Sequence, residues 1–356
     1  MKILHLPYNI GSKITITVNA LRKMGVEAKG IAVNNHLDYV GENVQVFNSK
    51  DYSYLNPQKY FTVMEANKKI KQAIEWADVV HWYYDFKVFK SDSILNFISR
   101  INKPAVVEWL GSDIRISEQL SHKNSYYKKA FAGNYPYRFE TKEHSRMIQK
   151  KFRDAGFEAL IRPELEAFVQ NDIFPSYFKI NNRIDVSEYV PSYLDSLKKI
   201  PLIVHPVTSR DAKGTEYILQ AIDKLKQKHQ FDFLILENIS HEKAKEKMSM
   251  ADIVIDQLIL GAFGTITLEG MALGKPVVCY ISDDLNQALP SENPIVNANP
   301  DTIHQELEKL IVDSALRNEC GKKSRLYVEK YHDADQIAFQ IKEIYEKILS
   351  KKTFAK

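Results

Sequence analysis

The stretch GAFGTITLEGMALGKPVV, residues 261 to 278, gathers four of the chain's 13 glycines around a single acid. The glycines are Gly261, Gly264, Gly270 and Gly274; the acid, Glu269, lies in an otherwise apolar run. Glycine is sparse elsewhere, below the roughly 7% of ordinary globular chains. Gly261 and Gly264 let the backbone turn sharply and leave N–H groups uncovered at a helix start. Uncovered donors and the positive end of a helix dipole together attract phosphate. Glu269 falls about a turn and a half into the predicted helix, which Gly274 ends. A carboxylate repels phosphate, so an uncharged donor such as a ribose hydroxyl is its natural partner. The plain alternative is a tight turn with Glu269 on a solvated face.

A second phosphate candidate is HPVTSRDAKGTEYI, where Arg210 and Lys213 precede Gly214 and a helix. Two cations at a strand–helix turn suit a diphosphate, each charge-assisted contact being worth roughly 1.5–3 kcal/mol. The spacing is neither a Walker loop nor a dinucleotide fingerprint. His205 and His241 flank this segment, as packed or capping residues or as members of the site. In the first half, His81 ends ADVVHW and Asp113 follows EWLGSD, both at carboxyl ends of expected strands. Either suits contact with a sugar or work as a base. The competing readings are a core histidine and an N-cap aspartate beside Arg115. Acids at 333–335 (DAD) and 282–284 (SDD) read as a helix start and a turn, so no metal and no cofactor is expected.

The elements that must hold these residues alternate. Strands are expected at KILHL, KGIAV, VQVF, DVVHWY, PAVVEWL and EALIRP, then at PLIVHPV, DFLILE, DIVIDQL, PVVCYI and PIVNA. Amphipathic stretches lie between them, such as TEYILQAIDKLKQKH with Tyr217, Ile218, Ala221, Ile222 and Leu225 on one face. Alternation of this kind predicts α/β architecture with parallel sheets and right-handed crossovers. The polar segment INNRIDVSEYVPSYLDSLKKIP, with two prolines and placed around residues 180 to 200, reads as an interdomain linker. Two Rossmann-like domains in tandem are expected: 1–185, 186–332, and a closing helix 333–356 with Ile337, Ile341, Ile344, Tyr345 and Ile348 in register. The 356 residues suit about two domains. A net charge of +4, from 49 bases and 45 acids, is too balanced to imply nucleic acid. Two cysteines, Cys279 and Cys320, suggest neither a disulfide framework nor a zinc site. The opening MKILHLPYNIGS reads as a core strand rather than a signal peptide, and no window approaches 18 apolar residues.

KGTEYILQAIDKL, ILENISHEKAKEKMSMADIVIDQL and GAFGTITLEGMALGKPVVCYI resemble the donor-binding half of GT-B retaining glycosyltransferases, glycosyltransferase family 4 in particular. The opening strand and helix, ADVVHWYY and KPAVVEWLGSDIR resemble that family's acceptor side, while Gln119 to Ser196 matches least. The resemblance implies two Rossmann-like domains facing each other across a cleft, and transfer of a sugar from a nucleotide sugar. By position, Arg210 and Lys213 would hold the donor diphosphate and Glu269 the ribose. Backbone of Gly261, Ala262, Phe263, Gly264 and Thr265 would face phosphate and donor sugar. Gly11 and Ser12 would lie under the phosphate, and the closing helix would brace the N-terminal half. Glu237, last residue of DFLILE, and His205 complete the donor-side candidates. The family carries a second acid eight positions before the glutamate matching Glu269, and here that position is Gly261. Asp256, Gln257 or loop backbone is left to meet the sugar.

The function expected is transfer to a saccharide or lipid-linked acceptor, with retention of configuration and without metal. Two alternatives stand beside it: a nucleotide-sugar epimerase of the same fold, and a non-catalytic subunit that kept the cleft. The basic, tyrosine-rich YYKKAFAGNYPYRFETKEHSRMIQKKFR, with Arg146, Lys150 and Arg153 at helical spacing, suits either an anionic membrane surface or a solvated face. A cytoplasmic location is expected, with peripheral contact on the inner membrane face as the membrane option. No nucleic-acid partner is expected.

Overall fold

The computed structural model describes residues 1–33, 41–48, 57–193 and 200–354. Residues 194–199 of the expected linker lie outside the described residues. The chain forms two compact units: Met1–Arg115 with Lys142–Arg183 and Ala334–Lys356, and Ile116–Thr141 with Ile184–Asp333.

In the N-terminal unit the strands are β1 (Lys2–Leu6), β2 (Glu27–Val33), β3 (Val44–Phe47), β4 (Val79–Tyr83), β5 (Ala105–Glu108), β6 (Glu158–Ile161) and β7 (Phe178–Lys179). Among the described residues they form one sheet in the order β3-β2-β1-β4-β5-β6-β7, and every neighbouring pair is parallel. All residues of β4 and β5 are buried, as covering helices on both faces require. The closing helix Ala334–Phe354 is part of this unit. Its Ile337, Ile341, Ile344, Tyr345 and Ile348 enter the core with Ile14, Val18 and Leu21 of the first helix, Lys13–Lys23.

In the C-terminal unit β8 (Leu202–Val207), β9 (Asp232–Glu237), β10 (Ile253–Ile255), β11 (Val277–Cys279) and β12 (Val296–Asn297) form a second sheet, ordered β12-β11-β10-β8-β9. It too is parallel throughout. Strand β10 is shorter than the apolar run DIVIDQL suggested. It stops at Ile255, so Asp256 and Gln257 sit in the loop beyond its carboxyl end. The strand order reverses at β8, between β9 and β10, and a crevice at the carboxyl ends is the usual ligand site there. Helix Thr215–Lys226 buries Ile218, Ala221, Ile222 and Leu225 under this sheet, each worth roughly 1.5–3 kcal/mol when fully enclosed except the smaller alanine. Gly270 allows helix Thr265–Ala272 to approach the sheet, since a Cβ there would lie 2.9 Å from Val277. That helix ends in a Schellman arrangement: Gly274 N–H donates to Met271 and Lys275 N–H to Gly270.

Residues 116–141, assigned to the N-terminal domain by the sequence pattern, pack instead within the C-terminal unit. Their contacts are tertiary and leave no periodic signature by which position in the chain would be overruled. The chain re-enters the C-terminal unit at Ile184, whose N–H donates to His332 O at 3.0 Å.

Candidate functional site at the switch point of the second sheet

Lys213 ends the short helix Arg210–Lys213, capped by Ser209, and Gly214 then turns at φ 71° into the next helix. The Lys213 ammonium pairs with Asp256. Asp256 is fully buried, and its other oxygen accepts from Thr267 Oγ1 at 2.6 Å. Thr267 is the third residue of helix Thr265–Ala272, so one carboxylate separates the lysine from that helix start. Burial raises the Asp256 carboxyl, but the lysine charge and hydrogen bonds from Lys213 and Thr267 outweigh it and hold it below the ordinary carboxylate value. Lys213 keeps 15% of its side chain exposed. It is a cation at the rim of a buried anion, able to meet a second anion from solvent.

Gly261–Thr265 forms the loop into that helix. Gly264 is its N-cap and contributes no side-chain hydrogen bond, leaving the first turn uncapped by a side chain. Gly261 sits at φ 70°, and a Cβ there would come within 3.1 Å of Ser282 and 3.2 Å of Tyr280. The absence of an acid at 261 is therefore built into the loop geometry: a side chain would be both strained and crowded. Ala262 O accepts from Gln257 Nε2, and Phe263 is buried against His332.

Glu269, only 2% exposed, faces the other side of the helix. Its Oε1 accepts from Tyr189 at 3.1 Å and lies 2.6 Å from His241 Nε2. Oε2 is buried with no hydrogen-bond partner among the described residues. An unpaired carboxylate oxygen is costly to bury, and a hydroxyl donor would satisfy it. Tyr189 stays protonated, its hydroxyl pushed far up by burial and by the Glu269 charge. His241 opens the helix that follows β9, four residues beyond Glu237. Glu237 in turn accepts from Arg210 at 3.0 to 3.3 Å, and Glu216 accepts a further bond from it at 3.1 Å. Arg210 is solvent-exposed and engaged by these two carboxylates. His205 lies within β8, fully buried. Its Nδ1 faces Ile255 O at 2.9 Å, so that nitrogen carries the proton and Nε2 accepts from Thr215 at 3.0 Å. Burial holds it down at about 4, hence neutral. His205 is a packing residue beneath the loop and does not face a ligand.

The N-terminal candidates are arranged differently. His81 is fully buried. Its Nδ1 meets Tyr345 at 2.6 Å, its Nε2 lies 3.2 Å from Glu108, and its ring stacks on Tyr83. A histidine enclosed on every side by its own core cannot touch a substrate, so its catalytic assignment is withdrawn. Asp113 is also buried and accepts from Gly111 N–H at 2.8 Å and Leu110 N–H at 3.2 Å. Burial pushes it up to about 6 despite those donors. It braces the loop after β5 and caps no helix. Gly11 and Ser12 turn at φ 55° and 56° before the first helix, whose leading N–H groups are taken by the side chain of Asn9.

The sequence pattern missed Tyr189 and the pairing of Asp256 with Lys213 and Thr267. Asp256 entered the sequence reading only as a stand-in for the acid missing at 261; nothing local pointed to Tyr189. Among the described residues no three His, Cys, Asp or Glu side chains converge as a metal site, and no helix is long and apolar enough to cross a membrane.

Comparison with known proteins bears on the C-terminal unit and on the fold. Residues 213–327 match the family model for glycosyl transferases group 1. No curated protein matches the sequence. Among solved structures, sucrose-phosphate synthase from Thermosynechococcus elongatus superposes with a TM-score of 0.65 at 14% identity, over 99% of this chain and 100% of its own. HepE of Anabaena in complex with UDP-glucose gives 0.58 at 14% identity, over 98% and 100%. An alpha-glucosyltransferase in complex with UDP-glucose and DNA containing an abasic site gives 0.65 at 11%, over 97% and 99%. The fold is that of the GT-B glycosyltransferases. The matched segment, residues 213–327, contains Lys213, Asp256, Glu269 and the glycine loop.

Proposed function

We propose that the protein transfers a sugar from a nucleoside-diphosphate sugar to a saccharide or lipid-linked acceptor, with retention of anomeric configuration. The observation that carries this reading is the chain of contacts from Lys213 through Asp256 to Thr267, beside an uncapped helix start at a topological switch point. Such a site offers one mobile cation and a fan of backbone donors to the same anion. The donor diphosphate lies there, with Arg210 moving off Glu237 to share it. Glu269 Oε2 accepts from a ribose hydroxyl. HepE and the alpha-glucosyltransferase, whose structures contain UDP-glucose, support a nucleotide-sugar donor.

In this mechanism the acceptor oxygen bonds to the anomeric carbon as the bond to the phosphate oxygen breaks. The acceptor proton passes to the departing diphosphate, so no side-chain nucleophile is required. The protein supplies position and cationic stabilisation of the growing leaving-group charge. No metal or cofactor enters this reading. Asp113 acts by positioning the loop after β5. The test is a panel of nucleotide sugars, each incubated with and without candidate acceptors, scored for nucleoside-diphosphate release. Release that depends on acceptor is expected. An altered sugar without release would mark an epimerase, and nucleotide binding without turnover a non-catalytic subunit.

A further inference from the structure

Residues 116–141 lie outside the matched family module yet pack within the C-terminal unit. They comprise two short helices, Ser117–Lys123 and Ser125–Ala132, joined at Asn124, and an aromatic return. Tyr127 and Tyr135 are buried in a cluster with Ala212 and Ile259, and both hydroxyls donate to Glu140 at 2.9 and 3.1 Å. Ala212 immediately precedes Lys213, and Ile259 stands two residues before Gly261. Asn124 works in two directions. Its Oδ1 caps the second helix by accepting from Tyr126 and Tyr127 N–H, while its Nδ2 donates to Ile259 O at 2.8 Å. Ile259 in turn fills the space over Gly214, where a Cβ would lie 2.8 Å from its side chain, and Leu258 N–H donates to Lys213 O at 3.0 Å. Outside this contact Tyr126 donates to Asp301, and its ring meets Tyr217 edge-on at 5.1 Å.

We infer that this arm is a positioning element of the donor site, and that Asn124 couples it to the two loops that meet the diphosphate. The inference rests on the donor reading given above. The physical reason is that Lys213 and Gly261 both lie on short irregular segments, which hold a site no better than what packs behind them. A buried aromatic cluster and one directed hydrogen bond fix both segments against a single support. Supplied from another part of the chain, that support is absent from the family module itself.

Asn124→Asp and Asn124→Ser test this, because each retains a helix-capping oxygen and loses the donor to Ile259 O. Binding of UDP, GDP, ADP and the matching monophosphates is measured by calorimetry on wild type and both variants, alongside thermal unfolding without nucleotide. For the base that wild type binds, diphosphate affinity should fall roughly 2- to 10-fold in each variant, the loss expected for one hydrogen bond. Monophosphate affinity should fall less, and the melting temperature should stay within about 2 °C. A general weakening of the fold would lower both affinities together. Unchanged diphosphate affinity in both variants, or equal loss of mono- and diphosphate, overturns the arm's role while leaving the donor reading intact. Failure of wild type to bind any of the three diphosphates overturns the donor reading and this inference with it.

Discussion

Each unit holds a cluster of charged and polar side chains, and the two are built to opposite ends. In the N-terminal unit Arg183 forks onto Glu108 with bonds of 3.0 and 2.9 Å and reaches Thr17 and Tyr83 at 2.6 and 3.0 Å. His5, His81 and Tyr345 close the group, all of them buried. Each side chain there has a partner inside the cluster; His81 Nε2 makes no formal hydrogen bond but lies 3.2 Å from the Glu108 carboxylate. In the C-terminal unit the cluster is left open: Lys213 reaches solvent, Arg210 is exposed, and Glu269 Oε2 is buried without a hydrogen-bond partner among the described residues. A cluster whose charges are enclosed and paired serves structure, and one that leaves cations facing solvent beside an unpaired acceptor suits binding. By that standard His81, enclosed and held by Tyr345 and Glu108, belongs to the scaffold, although its expected place at the carboxyl end of a strand makes it a candidate in the sequence.

The largest effect that would test this contrast is expected from Glu108→Ala. It strands the Arg183 charge in the core, which costs about 3–5 kcal/mol, read by urea unfolding. Nucleotide affinity of the folded fraction should be unchanged, and a loss of affinity without loss of stability would put the closed cluster back in the site.

The next concerns acid. His205 titrates near 4 when folded, against 6.5 ordinarily. The unfolded chain therefore takes up that proton more readily. Stability from this group is whole above pH 6.5 and drains as pH falls toward 4, on the order of 3 kcal/mol in total. His205→Gln should flatten that limb when denaturation midpoints are compared at about pH 7 and 4.5.

Lys213→Ala should lower turnover more than about tenfold, as loss of a charge-assisted contact to phosphate requires. It should also lower stability, because Asp256 loses its cation. The double variant Lys213→Ala/Asp256→Asn is expected to recover the stability and not the turnover. Recovery of both would make the pair structural, like Arg183 and Glu108.

The smallest change is Glu269→Gln, which keeps an acceptor for Tyr189 and His241. Nucleoside-diphosphate affinity should fall roughly 2- to 10-fold by calorimetry. Equal affinity would detach Glu269 from the ribose.

Much of the framework was legible in the sequence because periodicity reports local burial. The apolar runs KILHL and PLIVHPV became β1 and β8, and the isoleucine register of the closing helix became core contacts. Gly274 declared its helix end, since few other residues adopt φ 73° without strain. The two-residue β7 and the arm at 116–141 were not legible. Neither has a repeat long enough to stand above background, and both depend on partners distant in the chain.

For the site, composition and spacing alone selected Lys213, Glu269 and the Gly261–Thr265 loop, because glycine and charge at strand ends carry their meaning locally. Which charges would be spent on one another was decided only by tertiary structure. Asp256 with Lys213, Tyr189 with Glu269, and His81 with Glu108 and Tyr345 are separated by 43, 80, 27 and 264 residues. Hydrogen bonds depend on distances of a few tenths of an ångström, and no one-dimensional pattern encodes those.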